Sequence, residues 1–401
     1  MSDPPPSGSM WRAIGADSLP AKAVGMLKRL LSGRVVSMLL VFLLLAILFH
    51  VASDGVFFSP RNVTLLLRQA SIVAVVAAGV SILMVMGEID LSIGSAAYLC
   101  SVVAAVLQVW YAVPTVPAVL ITILVGVTLG AWHSLWVIGV GVPSFVVTLA
   151  GLLAFRGIGY QITSAQTIAP LSKSFTFLSE GFIPPVPSYV VLAVVLVVAT
   201  AYLLRRSRLN LHAAPGELAR LTGYLVALVA AIGFLAWAFG GYLGTPVALV
   251  WVAVIGLILW VLMTRSKFGR NAYMIGSNRE AAMLSGISIS RELFLGFLLM
   301  GALYGIAGVL VTARLGSSTP STGTFMELDA IAGAVIGGTS LRGGVGTTAG
   351  AMVGAVLLTT IDNGMSILNV SSFLQLVVKG LVLLLALSFD AYMIRHRTYR
   401  M

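Results

Sequence analysis

Twelve apolar runs, divided by short polar or glycine-broken segments, organise this chain. The first six are Val35 to Val51, Leu65 to Met86, Leu91 to Val109, Val116 to Val137, Phe145 to Tyr160 and Tyr189 to Leu204. The remainder are Leu221 to Phe239, Val247 to Met263, Leu293 to Ala313, Leu328 to Gly338, Thr347 to Ile361 and Phe373 to Phe389. About 20 consecutive apolar residues cross a bilayer as a helix. Helices are required because lipid offers no partner to an unpaired backbone group. The expected fold is therefore all-α, a polytopic membrane bundle of about 10 to 12 transmembrane helices, the range reflecting the short and Gly-broken runs.

The polar gaps give an orientation. Cations crowd gaps of one parity: Arg12, Lys22, Lys28, Arg29 and Arg34 before the first run, and Arg205, Arg206, Arg208 and Arg220 after the sixth. Arg265, Lys267, Arg270, Arg279 and Arg291 follow the eighth, Arg342 the tenth, and Arg395, Arg397 and Arg400 end the chain. The alternate side holds Arg61, Lys173 and Arg314 in its gaps and Arg68 near the start of the second run, while Arg156 and Lys379 fall within runs. Excess Lys and Arg mark cytoplasmic loops, so both termini are expected in the cytoplasm. On this reading residues 1–34, with Pro4, Pro5 and Pro6, form a disordered cytoplasmic lead. Residues 35–390 form the transmembrane domain, with 264–292 as a cytoplasmic loop, and 391–401 form the tail. A signal peptide is the rival for the first run, but a polar lead of this length argues against it.

Composition agrees. Of 401 residues, 59% are hydrophobic and 9% charged, too apolar for one soluble core. The net charge of +11 is not a nucleic-acid signature here, because the cations lie between apolar runs and not on a soluble face. Cys100 stands alone and has no intrachain partner for a disulfide.

The chain lacks the nucleotide loop G-x-x-x-x-G-K-[ST]. The nearest segment, Gly337 to Gly346, has no Lys and no preceding strand, and reads as a tight turn between helices. His50, His133, His212 and His396 have no second ligand at metal-binding spacing. No catalytic residue and no metal ligand set is expected.

The gap between Met263 and Leu293 has local structure of its own. Ser277 and Glu280 have capping-box spacing, Ala281, Ala282, Met283 and Leu284 favour helix, and Gly286 can end it. A two-turn helix is too short to persist alone. It needs either a groove on a partner protein or the lipid surface. Asp90 and Asp329 are costly in lipid. They serve either as an ion relay or structurally, Asp90 by capping a helix through the N–H of Ser92 or Ile93, and the Gly-rich context favours the cap.

Four segments resemble one family, the permease subunits of bacterial ABC importers for ribose, galactose and xylose. Gly276-Ser-Asn-Arg-Glu-Ala-Ala-Met-Leu-Ser-Gly-Ile287 is similar to its cytoplasmic coupling loop, and Glu88-Ile-Asp-Leu-Ser-Ile-Gly-Ser95 to its E-x-D-L-S-x-G-S motif. Glu327-Leu-Asp-Ala-Ile-Ala, with Ile336 to Gly346, resembles its second Gly-rich motif, and Val142 to Gly157 the stretch between. The resemblance runs from about Phe58 to Phe389. Within the family the chain looks most like D-xylose permeases, which carry an extra basic loop and apolar stretch where Arg205 to Phe239 lies here; Asp362-Asn-Gly-Met-Ser366 points the same way.

The resemblance implies a multi-pass protein of the bacterial inner membrane that moves a monosaccharide, D-xylose first, by alternating access. It implies a second copy of the chain, cytosolic ATP-binding subunits carrying ATP-Mg, and a periplasmic or extracellular sugar-binding protein. This chain would hold no cofactor, act as no enzyme, sit in lipid and bind no nucleic acid. Ser277, Asn278, Arg279, Glu280, Ala281, Ala282, Leu284, Ser285 and Gly286 would form the coupling helix. Glu88, Asp90, Ser92, Gly94, Asp329, Gly337 and Gly338 would be structural. Candidate sugar contacts are Phe145, Tyr160, Phe325, Asn363, Phe373 and Gln375, since sugar sites combine aromatic faces with amides. The segments Glu88 to Ser95 and Glu327 to Gly346, preceding Val142-Pro-Ser-Phe145 and Val370-Ser-Ser-Phe373, suggest an internal repeat. Rivals are an ion-coupled secondary transporter, which should pair carboxylates deep within spans, and a membrane enzyme. Neither gives the helical loop a role.

Overall fold

The computed structural model describes residues 34–208 and 215–398. The polar lead, apart from Arg34, and residues 209–214 of the mid-chain basic loop lie outside the described residues. The helices are α1 (Arg34–Ala52), α2 (Pro60–Val85), α3 (Ile93–Val109), α4 (Thr115–Ser134, continued by a π turn to Val140), α5 (Ser144–Thr163), α6 (Lys173–Glu180), α7 (Pro185–Arg208) and α8 (Pro215–Gly240). After them come α9 (Val247–Arg265), α10 (Lys267–Ser277), α11 (Arg279–Leu284), α12 (Ile289–Leu315), α13 (Met326–Ile336), α14 (Thr348–Ile367) and α15 (Ser372–Thr398). Two-residue strands, Phe182–Ile183 and Thr245–Pro246, pair antiparallel and tie the start of α7 to the start of α9. Among the described residues, eight helices are long and apolar enough to span a membrane.

Helix ends follow local chemistry. Ser59 caps α2 by accepting from Asn62 N–H at 3.3 Å, with Pro60 in the first turn where its missing N–H costs nothing. Thr347 caps α14 through Gly350 N–H at 3.0 Å.

The tightest packing is α4 against α12. Gly126 and Gly130 face Gly301 and Gly305, and a Cβ at Gly305 would meet Ile123 Cα at 2.5 Å. Small residues four apart let two backbones touch, which drives helix association where lipid is as apolar as leucine. α2 and α12 are mostly buried within the bundle, whereas α7 and α8 form an outlying hairpin, 6% buried.

The loops 86–92, 141–143, 266–288 and 337–347 meet on one face: Glu88 pairs with Arg279, Ile89 N–H donates to Ser144 Oγ, and Gly344 N–H donates to Val85 O. The tenth apolar run behaves differently from a full span. α13 has 11 residues, about 16 Å of helix against a hydrocarbon core of about 30 Å. The polar segment 316–325 supplies the rest of the crossing. It runs back beside α3: Ser318 accepts from Ser101 Oγ at 2.8 Å, and Gly323 lies against Gly94. From Gly94 to the end of α3 at Val109 is about 22 Å of helix. Residues 316–325 therefore re-enter the bundle, where the sequence reading had an ordinary outer loop. α3 and α13 both start inside it, back to back. The proposed repeat is not matched in backbone: 88–92 is a loop, whereas Glu327 and Asp329 lie in the first turn of a helix.

Candidate functional site

The loop face is assembled around α10. Its buried positions Phe268, Gly269, Ala272 and Ile275 lie at helical spacing, while Lys267 and Arg270 are exposed. Asn271 donates to Glu292 of α12 at 2.6 Å, and Tyr273 donates to Gly346 O at 2.8 Å. Burial raises the Tyr273 phenol pKa and keeps it a donor. Gly344 N–H reaches Val85 O at the end of α2, at 2.8 Å. Gly344 holds φ +72°, so the tight turn read from the sequence uses backbone conformations that glycine supplies.

α11 rises from this plate. Its cap differs from the expected one. Asn278 Oδ1 accepts from Ala281 N–H at 2.9 Å, whereas Ser277 Oγ donates to Tyr273 O at 2.7 Å and closes α10. The helix ends as expected at Gly286, φ +80°. Gly286 N–H bonds Met283 O and Ile287 N–H bonds Ala282 O, both near 3 Å, the paired closure of a Schellman turn. Arg279 pairs with Glu88 at 3.1 Å and fixes α11 to the loop after α2. Only Ala282 of α11 is buried. Met283 is 59% exposed and Leu284 80%, with Glu280, Ala281 and Ser285 exposed beside them. A rigid platform thus presents two apolar side chains to whatever covers it.

Beneath the plate, Asp90 is buried. Its Oδ1 accepts from both Ser92 N–H and Ser92 Oγ at 2.8 Å, the local bond expected of it, and Tyr304 of α12 donates to Oδ2. Thr148 Oγ1 binds Leu91 N–H at 3.1 Å and anchors the loop to α5. We expect Asp90→Asn to lower the yield of assembled protein without adding pH-gradient dependence to transport. A gain of such dependence in vesicle uptake assays would overturn the structural role. Gly94 has no room for a side chain beside Gly323, and Gly337 none beside Gly350. Gly338 turns at φ +98°.

The six candidate sugar contacts do not converge. Phe145 and Phe373 are 51% and 83% exposed. Asn363 exchanges amide hydrogen bonds with Asn62 at 2.9 and 3.0 Å, a structural pair between α14 and α2. Gln375 donates to Val370 O at 2.9 Å and closes the turn before α15. Only Tyr160 and Phe325 belong to one feature, the re-entrant segment: Tyr160 donates to Pro320 O at 3.3 Å, and Phe325 is its last residue.

Two arrangements were not read from the sequence. Arg156 donates to Pro320 O at 3.2 Å and Thr322 O at 2.8 Å, and stacks on Tyr98 at 4.8 Å. Lys379 of α15 meets both oxygens of Asp329 at 3.0 Å and Asp362 of α14 at 2.9 Å. The carboxylates of this chain are therefore not confined to span ends. A charged residue inside an apolar run was the available signal for both. Among the described residues no group of His, Cys, Asp and Glu could hold a metal.

The family described as branched-chain amino acid transport system permease component matches residues 62–243 and 210–387. The xylose transport system permease protein of Escherichia coli K12 is 38% identical over 362 residues, 89% of this chain and 92% of that one. Its Haemophilus influenzae counterpart is 39% identical over 360 residues, 89% and 96% of the two chains. The ribose import permease of Bacillus subtilis is 32% identical over 334 residues, 83% and 86%. No solved structure matches.

Proposed function

Because this chain belongs to the family of branched-chain amino acid transport system permease components, we propose that it is the membrane subunit of an ATP-driven importer whose cargo is a monosaccharide, D-xylose first. The observation that carries the reading is α11. A six-residue helix, capped at both ends, pinned to Glu88 and bearing exposed Met283 and Leu284, is built to enter a groove on a partner. A lipid-surface helix would turn its apolar side into the bilayer. Here the apolar pair and the cations Lys267, Arg270 and Arg342 are all exposed, on segments of the same loop face.

Those cations favour this face as cytoplasmic, where an ATP-binding subunit would meet it. ATP-Mg would be held by that subunit. A solute-binding protein would deliver sugar to the opposite face, and two copies of the chain would enclose the pathway. Relatives named for xylose, together with the outlying α7–α8 hairpin, support xylose over ribose as cargo.

The test is ATP hydrolysis by the chain reconstituted with its genomic-neighbour ATPase and binding protein. Stimulation by the D-xylose-loaded binding protein supports both class and cargo. Stimulation by a different sugar alone removes xylose and keeps the class, and the absence of any stable ATPase complex overturns the importer reading.

A further inference from the structure

Resting on the importer function proposed above, we propose that the re-entrant segment 316–325 is the sugar-contacting surface of the pathway, with Ser321, Thr324, Phe325 and Tyr160 facing the solute. The segment lies deep in the bundle. Gly323 touches Gly94, about 22 Å of helix below the end of α3. It is not helical, and it is not covered: Ser321 and Thr324 are exposed, Phe325 is 44% exposed and Tyr160 38%. Irregular backbone at membrane depth survives only when packed in protein or lining water, never facing lipid. Its exposed side therefore meets a water-filled path or another chain.

The chemistry favours a path for a polyhydroxylated solute. Ser317, Ser318, Thr319, Ser321, Thr322 and Thr324 make the segment hydroxyl-rich, and Tyr160 and Phe325 flank it with aromatic faces. Hydroxyls and rings are what a sugar uses for hydrogen bonding and stacking. Two further observations mark the segment as held for a purpose. Arg156, a cation within a spanning helix, is committed to the carbonyls of Pro320 and Thr322, and intramembrane ionisable groups line functional paths. Phe325 sits at φ +63°, a left-handed conformation that bulky residues rarely adopt and that concentrates at functional sites.

Single-cysteine accessibility tests this directly, because Cys100, the one native thiol, is fully buried. Ser321→Cys and Thr324→Cys would be placed in the full transporter, reconstituted with ATPase and binding protein, and exposed to a charged, membrane-impermeant methanethiosulfonate. Val197→Cys, on the outlying α7, serves as the lipid-facing control. We expect rapid labelling at 321 and 324, slowed by D-xylose during turnover, and negligible labelling at 197. Phe325→Ala should cut uptake about ten-fold while binding-protein stimulation of ATP hydrolysis persists. Labelling at 321 and 324 as slow as at 197 would overturn the proposal, as would oxidative cross-linking of two copies through Ser321→Cys, which would make this face a subunit contact. Failure of the importer reading is separate: the unsubstituted complex would then show no stimulated ATP hydrolysis at all.

Discussion

Lys379→Ala should destabilise the folded chain by roughly 3–5 kcal/mol, the cost of stranding buried charge when one partner of an ion network is removed. Lys379 answers two carboxylates at once, Asp329 at 3.0 Å and Asp362 at 2.9 Å. All three side chains are at least three-quarters buried, at 23%, 18% and 24% exposure. Without the ammonium, two carboxylates on neighbouring helices repel in a medium of low dielectric. The measurement is the temperature at which half the monodisperse peak of detergent-purified protein is lost on size exclusion. Lys379→Met combined with Asp329→Asn and Asp362→Asn should recover most of the loss, since an uncharged set of similar volume is often as stable as the ion network. A Lys379→Ala protein as heat-resistant as the parent would show that the network does not hold α13, α14 and α15 together.

Leu284→Asp should weaken the complex with the ATP-binding subunit about 10- to 100-fold, while leaving the membrane bundle intact. Burying a leucine side chain is worth about 1.5–3 kcal/mol, and each 1.4 kcal/mol is tenfold in affinity. Leu284 is 80% exposed in the isolated chain, so the substitution removes nothing from the fold. Its loss would be felt only where a partner covers α11. Titrating ATPase subunit onto the purified chain and following co-elution reads the affinity. Equal binding by Leu284→Asp and parent would mean that the exposed pair is not the contact, and the coupling assignment would fall with it.

Apolar length is a one-dimensional signal, and the twelve runs accordingly reappear as helices in the expected order, eight of them, among the described residues, long and apolar enough to span a membrane. α11 was legible too, in the helix formers Ala281 to Leu284 and the turn at Gly286, whereas α10 was not read although Phe268, Ala272 and Ile275 lie at helical spacing. The cap of α11 was legible only to within a residue. Ser277 and Asn278 are both competent, and the choice depends on Tyr273 O drawing Ser277 into α10. What the sequence hid depends on partners far along the chain. Asn363 resembles a sugar-binding amide until Asn62, 301 residues away, saturates it. Lys379 resembles a stray charge until two other helices bring carboxylates to it. Residues 316–325 look like an outer loop because polarity cannot distinguish a segment outside the membrane from one folded back into it.

The glycine contact between α4 and α12 bears on how such a protein could move. Ordinary helix interfaces slide because side chains trade rotamers, and here Gly126, Gly130, Gly301 and Gly305 leave main chain against main chain. With nothing at the seam to rearrange, these two helices must travel as a single strut. The bending that opens one side and closes the other is then left to joints made without such a seam, foremost the unwound stretch entering α13.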